Sequence, residues 1–167
     1  MIAAVTDYCG KITGVQRTWL ERDGSGKAPI AAQRKAMGDL LGHAVRFGPS
    51  NEIIAVGEGI ETMLSLKCVL PKMTVAAALS SAHLAAFLFP PSLRRLYIAR
   101  DNDPAGEAAS DRLIERANKA EIDAIVLSPH HGDFNEDLSA LGTEALRANI
   151  RLQLAPEDAA RFMRLSA

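Results

Sequence analysis

The pattern of hydrophobic and polar positions changes at about residue 50, which divides the chain into two regions. Before this point, residues 2–5 and 12–20 are rich in β-branched side chains and flank a glycine-containing turn. This arrangement is typical of a β-hairpin. The weaker pattern over residues 33–41 predicts a short helix, and Gly48-Pro49-Ser50-Asn51 predicts a break. We therefore expect an N-terminal hairpin subdomain over residues 1–50.

After the break, short apolar runs alternate with stretches of helical periodicity. The apolar runs predict four buried strands at residues 53–56, 74–79, 96–99 and 124–127. The intervening stretches predict helices at residues 60–70, 83–89 and 104–120. Short apolar strands separated by helices indicate an α/β fold with a parallel sheet and right-handed crossovers. We expect this four-stranded domain over residues 51–138, with further helices at 143–153 and 156–165 packing on it from the segment 139–167.

Composition narrows the range of functions. Hydrophobic residues make up 48% of the 167 residues and charged residues 23%, both ordinary values for a globular protein. Nineteen Lys and Arg residues against twenty Asp and Glu give a net charge of −1, unlike a stand-alone DNA-binding module. Contact with nucleic acid would therefore depend on local basic patches, a bound cation or a partner.

The sequence also predicts the cellular environment. Cys9 and Cys68 lie far apart without metal-ligand spacing, and we expect both thiols to be reduced and unpaired. The apolar runs are too short to span a bilayer, and Asp7 interrupts the apolar N-terminal stretch. We therefore expect a soluble cytoplasmic protein without a membrane partner.

Acidic residues follow three of the four predicted strands of the second region. Glu58 follows the first strand, Asp101 and Asp103 follow the third, and the acidic segment from Asp133 to Asp137 comes after the fourth. Because ligand sites in open parallel sheets lie outside the carboxyl ends of the strands, we expect these side chains to gather at one edge. Hard oxygen ligands suit Mg²⁺ or Mn²⁺, which Asp101 and Asp103 could share.

Each of these residues also has a purely structural interpretation. Asp103 directly precedes Pro104 and is an excellent helix N-cap, Asp101 suits a turn, and Glu58 could be a solvated turn residue. The glycines on either side of Glu58, Gly57 and Gly59, would equally let the backbone approach an anionic ligand closely. The coincidence of acids at three strand ends favours a site.

The strand followed by Gly57-Glu58-Gly59, and the later strand followed by Asp101-Asn102-Asp103 and Gly106, resemble the Toprim domain. This domain is shared by bacterial-type primases, type IA and type II topoisomerases, nucleases and recombination-repair proteins, and the resemblance covers residues 53–138. It implies that Glu58, Asp101 and Asp103 are catalytic and bind the metal. In primase-like members a further acidic motif follows the next strand, which Asp133 matches best and Asp137 less well.

The N-terminal region resembles the hairpin that precedes Toprim in primase-like proteins of phages, plasmids and integrative elements. In those relatives it helps to hold template and nucleotide, which implies phosphate contacts for Arg17, Lys27 and Lys35. An exposed position on a solvated face is the alternative for each of them. Arg100, beside the Asp101 motif, is a further candidate for nucleotide binding, and His130 and His131 flank the acidic segment.

The chain also departs from a complete primase. It has no cysteines or histidines at zinc-finger spacing and no Gly-x-x-x-x-Gly-Lys-Ser/Thr loop of a helicase. Neither Tyr8 nor Tyr97 has the context of a topoisomerase nucleophile. The resemblance thus implies DNA and nucleotides as partners, together with a separate zinc-binding or helicase partner.

The predicted function is Mg²⁺- or Mn²⁺-dependent nucleotidyl or phosphoryl transfer on nucleic acid, either as a DNA primase-like activity or as a subunit of a mobile-element replication system. Two alternatives use the same residues: a Toprim nuclease with water as nucleophile, and a catalytically silent binding module of a replication complex. A phosphorelay receiver domain is disfavoured because no lysine follows the fourth strand.

Overall fold

The computed structural model of the chain describes residues 1–163. Its strands are β1 (Ile2–Thr6), β2 (Ile12–Thr18), β3 (Arg34–Gly38), β4 (Val45–Phe47), β5 (Ile53–Gly57), β6 (Thr74–Ala77), β7 (Arg95–Ala99) and β8 (Asp123–Leu127). Its helices are α1 (Ile60–Val69), α2 (Ser81–Ala85), α3 (Pro104–Lys119), α4 (Phe134–Gln153) and α5 (Pro156–Phe162). No helix in this part of the chain is long and apolar enough to cross a membrane.

The N-terminal region is a three-stranded antiparallel sheet in the order β1-β2-β3. The predicted hairpin is confirmed as β1 and β2. The predicted helix over residues 33–41 is wrong, because this segment forms β3 and pairs with β2 from Thr18–Arg34 to Gly14–Gly38. Gly14 and Gly38 explain part of the preference for a strand, because they let β2 and β3 approach closely. A Cβ on Gly38 would lie 2.6 Å from the Cα of Gly14. Pairing with β2 outweighs the weak local signal.

The second sheet has five strands in the order β4-β6-β5-β7-β8. The four predicted parallel strands are confirmed as β5, β6, β7 and β8. The fifth strand, β4, was not predicted and runs antiparallel to β6, from Val45–Ala77 to Phe47–Val75. It belongs to this sheet although it precedes residue 51. The division of the chain after residue 50 stays a prediction.

Helices cover both faces of this sheet, as the alternation of strands and helices predicted. One core contains Ala55 and Tyr97 and packs against α1, α4 and α5. The other contains Ile54 and Ile98 and packs against α2 and α3. Alternate residues of the central strands thus serve opposite cores, which places β5 and β7 in the middle of the domain with their carboxyl ends side by side.

The acidic segment after β8 is not a loop leading to a helix at residue 143. It forms the first turn of α4, which begins at Phe134 and is kinked at Gly142, where φ is +81°. The predicted helix over 83–89 is shorter and spans only Ser81–Ala85, capped by Ser80. The predicted helix over 156–165 is confirmed as far as Phe162. Its predicted last two residues lie outside the described residues.

Candidate functional site

The acidic residues come from the carboxyl ends of the two central parallel strands and from the start of α4. Gly57, the last residue of β5, pairs with Ala99, the last residue of β7. Glu58 therefore leaves the sheet beside the segment that carries Asp101 and Asp103. Asp133 enters from the turn after β8, and the amide of Asn102 donates to the carbonyl of Gly132 at 2.7 Å. This contact holds the two acidic loops together.

Asp101 is at the centre of this cluster. Its side chain is half-buried, and its buried Oδ1 has no hydrogen-bond partner among the described residues. Burial, followed by the negative charges of Glu58, Asp133 and Asp103, raises the pKa of Asp101 to about 7. The four carboxylates therefore share one electrostatic environment, as predicted for three of them from strand ends and for Asp133 from the family resemblance.

Glu58 directly follows β5 and lies near Asp101. Burial and the charge of Asp103 raise the pKa of Glu58, and a hydrogen bond from the backbone of Ser81 opposes that rise. The carbonyl of Glu58 accepts the amide of Leu79 at 2.8 Å. Leu79 has φ of +80°, an unusual conformation for a non-glycine residue and one that costs about 1–3 kcal/mol. This strained residue fixes the backbone of Glu58, and no local pattern in the sequence indicated it.

Asp103 and Asp133 both cap helices. Oδ1 of Asp103 accepts the amide of Gly106 at 2.7 Å at the start of α3. Oδ1 of Asp133 accepts the amide of Glu136 at 2.8 Å at the start of α4. The prediction that Asp103 caps a helix is therefore correct, but the cap uses one of the two oxygens of its carboxylate. Each cap fixes the side chain at the edge where Asp101 lies.

Asp137 serves a different purpose from Asp133. It is completely buried, and its carboxylate accepts the backbone amides of His130 and His131 and contacts Nδ1 of His131 at 2.7 Å. Although burial acts in the opposite direction, these hydrogen bonds lower the pKa of Asp137. Asp137 thus stabilises the turn that carries Asp133. The sequence places His130 and His131 beside the acidic segment and does not indicate this role.

The basic residues predicted to contact phosphates lie in two different environments. Lys27 lies 3.2 Å from Glu61 in the first turn of α1, close to Glu58. Lys27 and Arg34 both help to lower the pKa of Glu61, against the opposite effect of its partial burial. Arg17 and Lys35 pair across β2 and β3 and are exposed. Sequence reasoning missed Arg34, which lies next to Lys35 in the chain.

Arg100 and the two predicted glycines show mainly structural contacts. Arg100 donates to the hydroxyl of Ser128 at 3.2 Å. A Cβ on Gly57 would lie 2.6 Å from the sulfur of Met63 and 2.9 Å from the carbonyl oxygen of Ala99, so packing alone requires glycine there. Gly59 is the N-cap of α1 in an extended conformation. A role in nucleotide binding stays a prediction for these three residues.

The donor chemistry of the cluster fits a divalent cation. Four carboxylates supply hard oxygen ligands, and the unpartnered oxygen of Asp101 lies among the other three charges. Across residues 1–163, no group of three or more His, Cys, Asp or Glu side chains is arranged so that it could hold a metal. The cluster is thus a region of concentrated negative charge and not a formed ligand cage.

Gly106 is required for the shape of the Asp101 loop. A Cβ at this position would lie 2.4 Å from the carbonyl oxygen of Asp101. We expect Gly106→Ala to lower the free energy of unfolding by about 2 kcal/mol, because the backbone of the loop would have to move. Urea denaturation measures the change. Gly26→Ala is the matched control, since a Cβ there has nothing within 4 Å. An equal effect of the two substitutions would contradict this account.

Comparisons with known proteins agree with the fold. The Toprim domain profile matches residues 53–144, and a profile described as a domain of unknown function (DUF7146) matches residues 1–47. The zinc-binding and RNA polymerase domains of the Aquifex aeolicus primase superpose with a TM-score of 0.62 at 19% identity, covering 92% of this chain and 40% of that one.

Two further solved structures share the fold. A DNA primase domain from Pseudomonas aeruginosa gives a TM-score of 0.59 at 18% identity, covering 91% of this chain and 50% of that one. The primase fragment of the bacteriophage T7 primase-helicase gives a TM-score of 0.57 at 16% identity, covering 91% of this chain and 61% of that one. The chain therefore spans about half the length of these structures. No curated protein sequence matches it.

Proposed function

Because this chain belongs to the Toprim domain family and shares the fold of primases, we propose that it catalyses metal-dependent nucleotidyl transfer on nucleic acid, as a DNA primase does. The observation that carries the proposal is the half-buried carboxylate of Asp101, with an unpartnered oxygen, surrounded by Glu58, Asp103 and Asp133. Such a concentration of negative charge is costly to the fold, which favours a role in binding a cation.

Asp101, Asp103 and Asp133 would hold Mg²⁺ or Mn²⁺, with Glu58 as a further ligand. A divalent cation at this edge would neutralise triphosphate oxygens and stabilise the negative charge that develops during phosphoryl transfer. The chain itself contributes the positions of the ligands. The caps of α3 and α4 fix Asp103 and Asp133, and the contact between Asn102 and Gly132 holds their loops together.

Glu58 is the candidate general base for the attacking hydroxyl group. Burial and Asp103 raise the pKa of Glu58, which makes its carboxylate a better proton acceptor than an ordinary exposed glutamate. Its backbone is held by the strained Leu79. Ligation of the metal is the other role that the position of Glu58 allows, and the two roles predict different pH dependences of the rate.

Lys27 and Arg34 would contact the phosphates of an incoming nucleotide or template. Lys27 lies 3.2 Å from Glu61 at the start of α1, and the charge of Arg34 also acts on Glu61, which follows Glu58 by three residues. Because the chain covers 40% to 61% of the primases described above, we propose that priming involves further modules. A zinc-binding or helicase module is our proposal, because the Aquifex aeolicus primase includes zinc-binding domains and the T7 fragment comes from a primase-helicase.

The test is primer synthesis on single-stranded DNA with ribonucleotides and Mg²⁺ or Mn²⁺. We expect labelled oligonucleotide products that disappear when the cation is chelated. Cleavage of the DNA without nucleotides would identify a nuclease instead. If neither reaction occurs with the intact chain and its cognate replication partners, while DNA binding persists, the chain is a binding module and the proposal fails.

A further inference from the structure

The first turn of α1 carries an ion pair that joins the two regions of the chain. Nζ of Lys27, from the segment between β2 and β3, lies 3.2 Å from Oε1 of Glu61. The Lys27 side chain is 30% exposed and the Glu61 side chain 34%. Glu61 follows Glu58 by three residues, so the pair lies within one helical turn of the acidic cluster along the chain. No role in the proposed reaction has so far been assigned to Glu61.

Three groups with positive charge or partial positive charge act on the carboxylate of Glu61. It accepts a hydrogen bond from its own backbone amide, pairs with Lys27 and feels the charge of Arg34. Although partial burial acts in the opposite direction, these interactions lower the pKa of Glu61, so the carboxylate is ionised at neutral pH. Helix α1 has no side-chain cap at Gly59. Glu61 therefore supplies the negative charge that the amino end of a helix favours.

The groups that hold this carboxylate are also the groups that hold a phosphate. Backbone amides at the start of a helix bind phosphate oxygens, and Lys and Arg side chains form charged hydrogen bonds with them. A phosphate group carries a charge of about −1.5 to −2 and offers three acceptor oxygens. It can therefore replace a single carboxylate at such a place. Glu61 is an anion of the chain itself at a place suited to an anion of a ligand.

The ion pair is not needed to place Lys27. Leu20 and Lys27 form a β-bridge, and the amide of Ala28 donates to the carbonyl of Trp19 at 2.9 Å. The backbone of this segment is thus held by its own hydrogen bonds. Ion pairs with this degree of exposure contribute little to stability. Removing the charge of Glu61 would therefore free the ammonium group of Lys27 without moving the backbone that carries it.

The position of the pair indicates which phosphates compete with Glu61. In nucleotidyl transfer the polyphosphate of the incoming nucleotide has to lie at the cation, and Glu58 belongs to the acidic cluster that would hold this cation. Glu61 starts from the same end of α1. The phosphates of a template strand have no such requirement. A nucleoside triphosphate is therefore the class of ligand that the position favours.

We propose that Glu61 is an internal competitor of the nucleotide: its carboxylate pairs with Lys27 in the free protein and gives way to a phosphate of a bound nucleoside triphosphate. This inference rests on the proposed function, which places a nucleotide beside the acidic cluster, and adds a residue that sets the affinity of that site. The exchange keeps Lys27 neutralised while the site is empty. It also lowers the affinity for every nucleotide that uses Lys27.

Glu61→Gln tests the competition directly. Glutamine keeps the size of the side chain and removes its charge. We expect the intact variant to bind ATP with Mg²⁺ about threefold to fivefold more tightly than the original chain, which is the effect of removing one partly exposed ion pair. Isothermal titration calorimetry measures the dissociation constants. The KM of primer synthesis for ribonucleotides should fall by a similar factor.

Glu115→Gln is the matched control. Glu115 pairs with Lys119 at 2.6 Å on an exposed part of α3, so the variant also loses a Lys–Glu pair. Because Lys119 has no proposed contact with the nucleotide, the affinity for ATP should not change. Circular dichroism of the variants establishes that each is folded.

A double-mutant cycle tests whether Glu61 acts through Lys27. Lys27→Ala alone should weaken ATP binding about tenfold, because it removes a charged hydrogen bond to phosphate. Added to Lys27→Ala, Glu61→Gln should change the affinity by less than about twofold. An equal gain with and without Lys27 would overturn the proposal, since Glu61 would then act by general repulsion.

Three further results would overturn it. The first is unchanged or weaker ATP binding by Glu61→Gln. The second is the absence of ATP binding by the original chain and the variant alike. The third is tighter binding of a single-stranded oligonucleotide by Glu61→Gln without tighter binding of ATP, which would mean that Glu61 competes with template phosphates.

Binding and synthesis together separate this proposal from the proposed function. ATP binding that Glu61→Gln strengthens, in a chain that makes no primers, would count against the proposed function alone. Primer synthesis whose KM for ribonucleotides is the same in the original chain and in Glu61→Gln would count against the competition by Glu61 alone.

Discussion

Asp101→Asn should reduce metal-dependent primer synthesis by about 100-fold or more. Asparagine has nearly the same shape as aspartate but carries no charge, so it removes the central negative charge of the cluster without opening a cavity. Loss of one group that stabilises charge in a transition state typically costs a factor of about 10² to 10³. Initial rates of primer synthesis at saturating Mg²⁺ measure the effect.

Asp111→Asn is the matched control for this substitution. Asp111 is exposed on α3 and is not among the charges that act on Asp101, so the same chemical change there should leave the rate within about twofold. A rate above one tenth of the original for Asp101→Asn would remove Asp101 from the catalytic role. Glu58 and Asp103 would then remain as the candidate catalytic residues.

Comparing the stability of the original chain with that of the Asp101→Asn variant tests whether the loss of activity reflects misfolding. The pKa of Asp101 is about 7 in the fold against an ordinary value of 3.8. Between these values the folded state binds the proton and the unfolded state does not, so ionisation destabilises the fold as pH rises from 4 to 7. Glu58, whose pKa is also raised, acts in the same direction.

Thermal unfolding without divalent cations should therefore show that Asp101→Asn is more stable than the original chain at pH 8, and that the difference narrows at low pH. Mg²⁺ should raise the melting temperature of the original chain at pH 8 more than that of the variant. A variant that is less stable at every pH would mean that its inactivity comes from a folding defect.

The sequence predicted the parts of the fold whose signals are local. The four parallel strands are continuous apolar runs, and Ser80 and Pro104 mark the starts of α2 and α3. β4 could not be found, because three residues give too short a pattern. It exists because its backbone pairs with β6, which is distant in the sequence. β3 has only exposed residues, so periodicity carried no information about it.

The distinction between local sequence signals and long-range contacts also applies to the candidate site. Glu58, Asp101 and Asp103 could be predicted to meet because strand ends converge in any parallel sheet, whatever the details of the chain. The roles of Leu79 and Asp137 depend on contacts made after folding, with the carbonyl of Glu58 and with the turn at His130. The ion pair of Lys27 with Glu61 depends on how the segment between β2 and β3 packs against the start of α1. Neither kind of information is present in a single segment of sequence.

The amino ends of the same strands form a second polar cluster, which is structural. Asp158 at the start of α5 is 2% exposed and accepts hydrogen bonds from Arg95 at 2.8 Å and from the hydroxyl of Tyr97 at 2.6 Å. Burial and the neighbouring carboxylate raise the pKa of Tyr97, so its hydroxyl group remains a donor. This cluster attaches α5 to the central strand β7.

We expect Asp158→Ala to lower the free energy of unfolding by about 3 kcal/mol, because it leaves the buried hydroxyl of Tyr97 without its acceptor and removes the only buried partner of Arg95 in the cluster. Urea denaturation of the intact chain measures the change.

Glu157→Ala is a closely matched control. Glu157 accepts a hydrogen bond from the same nitrogen of Arg95 at the same distance of 2.8 Å, but its side chain is 65% exposed. Solvent screening limits such a pair, so we expect a much smaller loss of stability than for Asp158→Ala. The comparison holds the donor nitrogen of Arg95 and the distance constant, while the two acceptors differ in burial and in the hydrogen bond that Asp158 also accepts from Tyr97. Equal losses for the two variants would mean that α5 is held by its apolar contacts, with Phe162 in the core, and that the ion pairs contribute little.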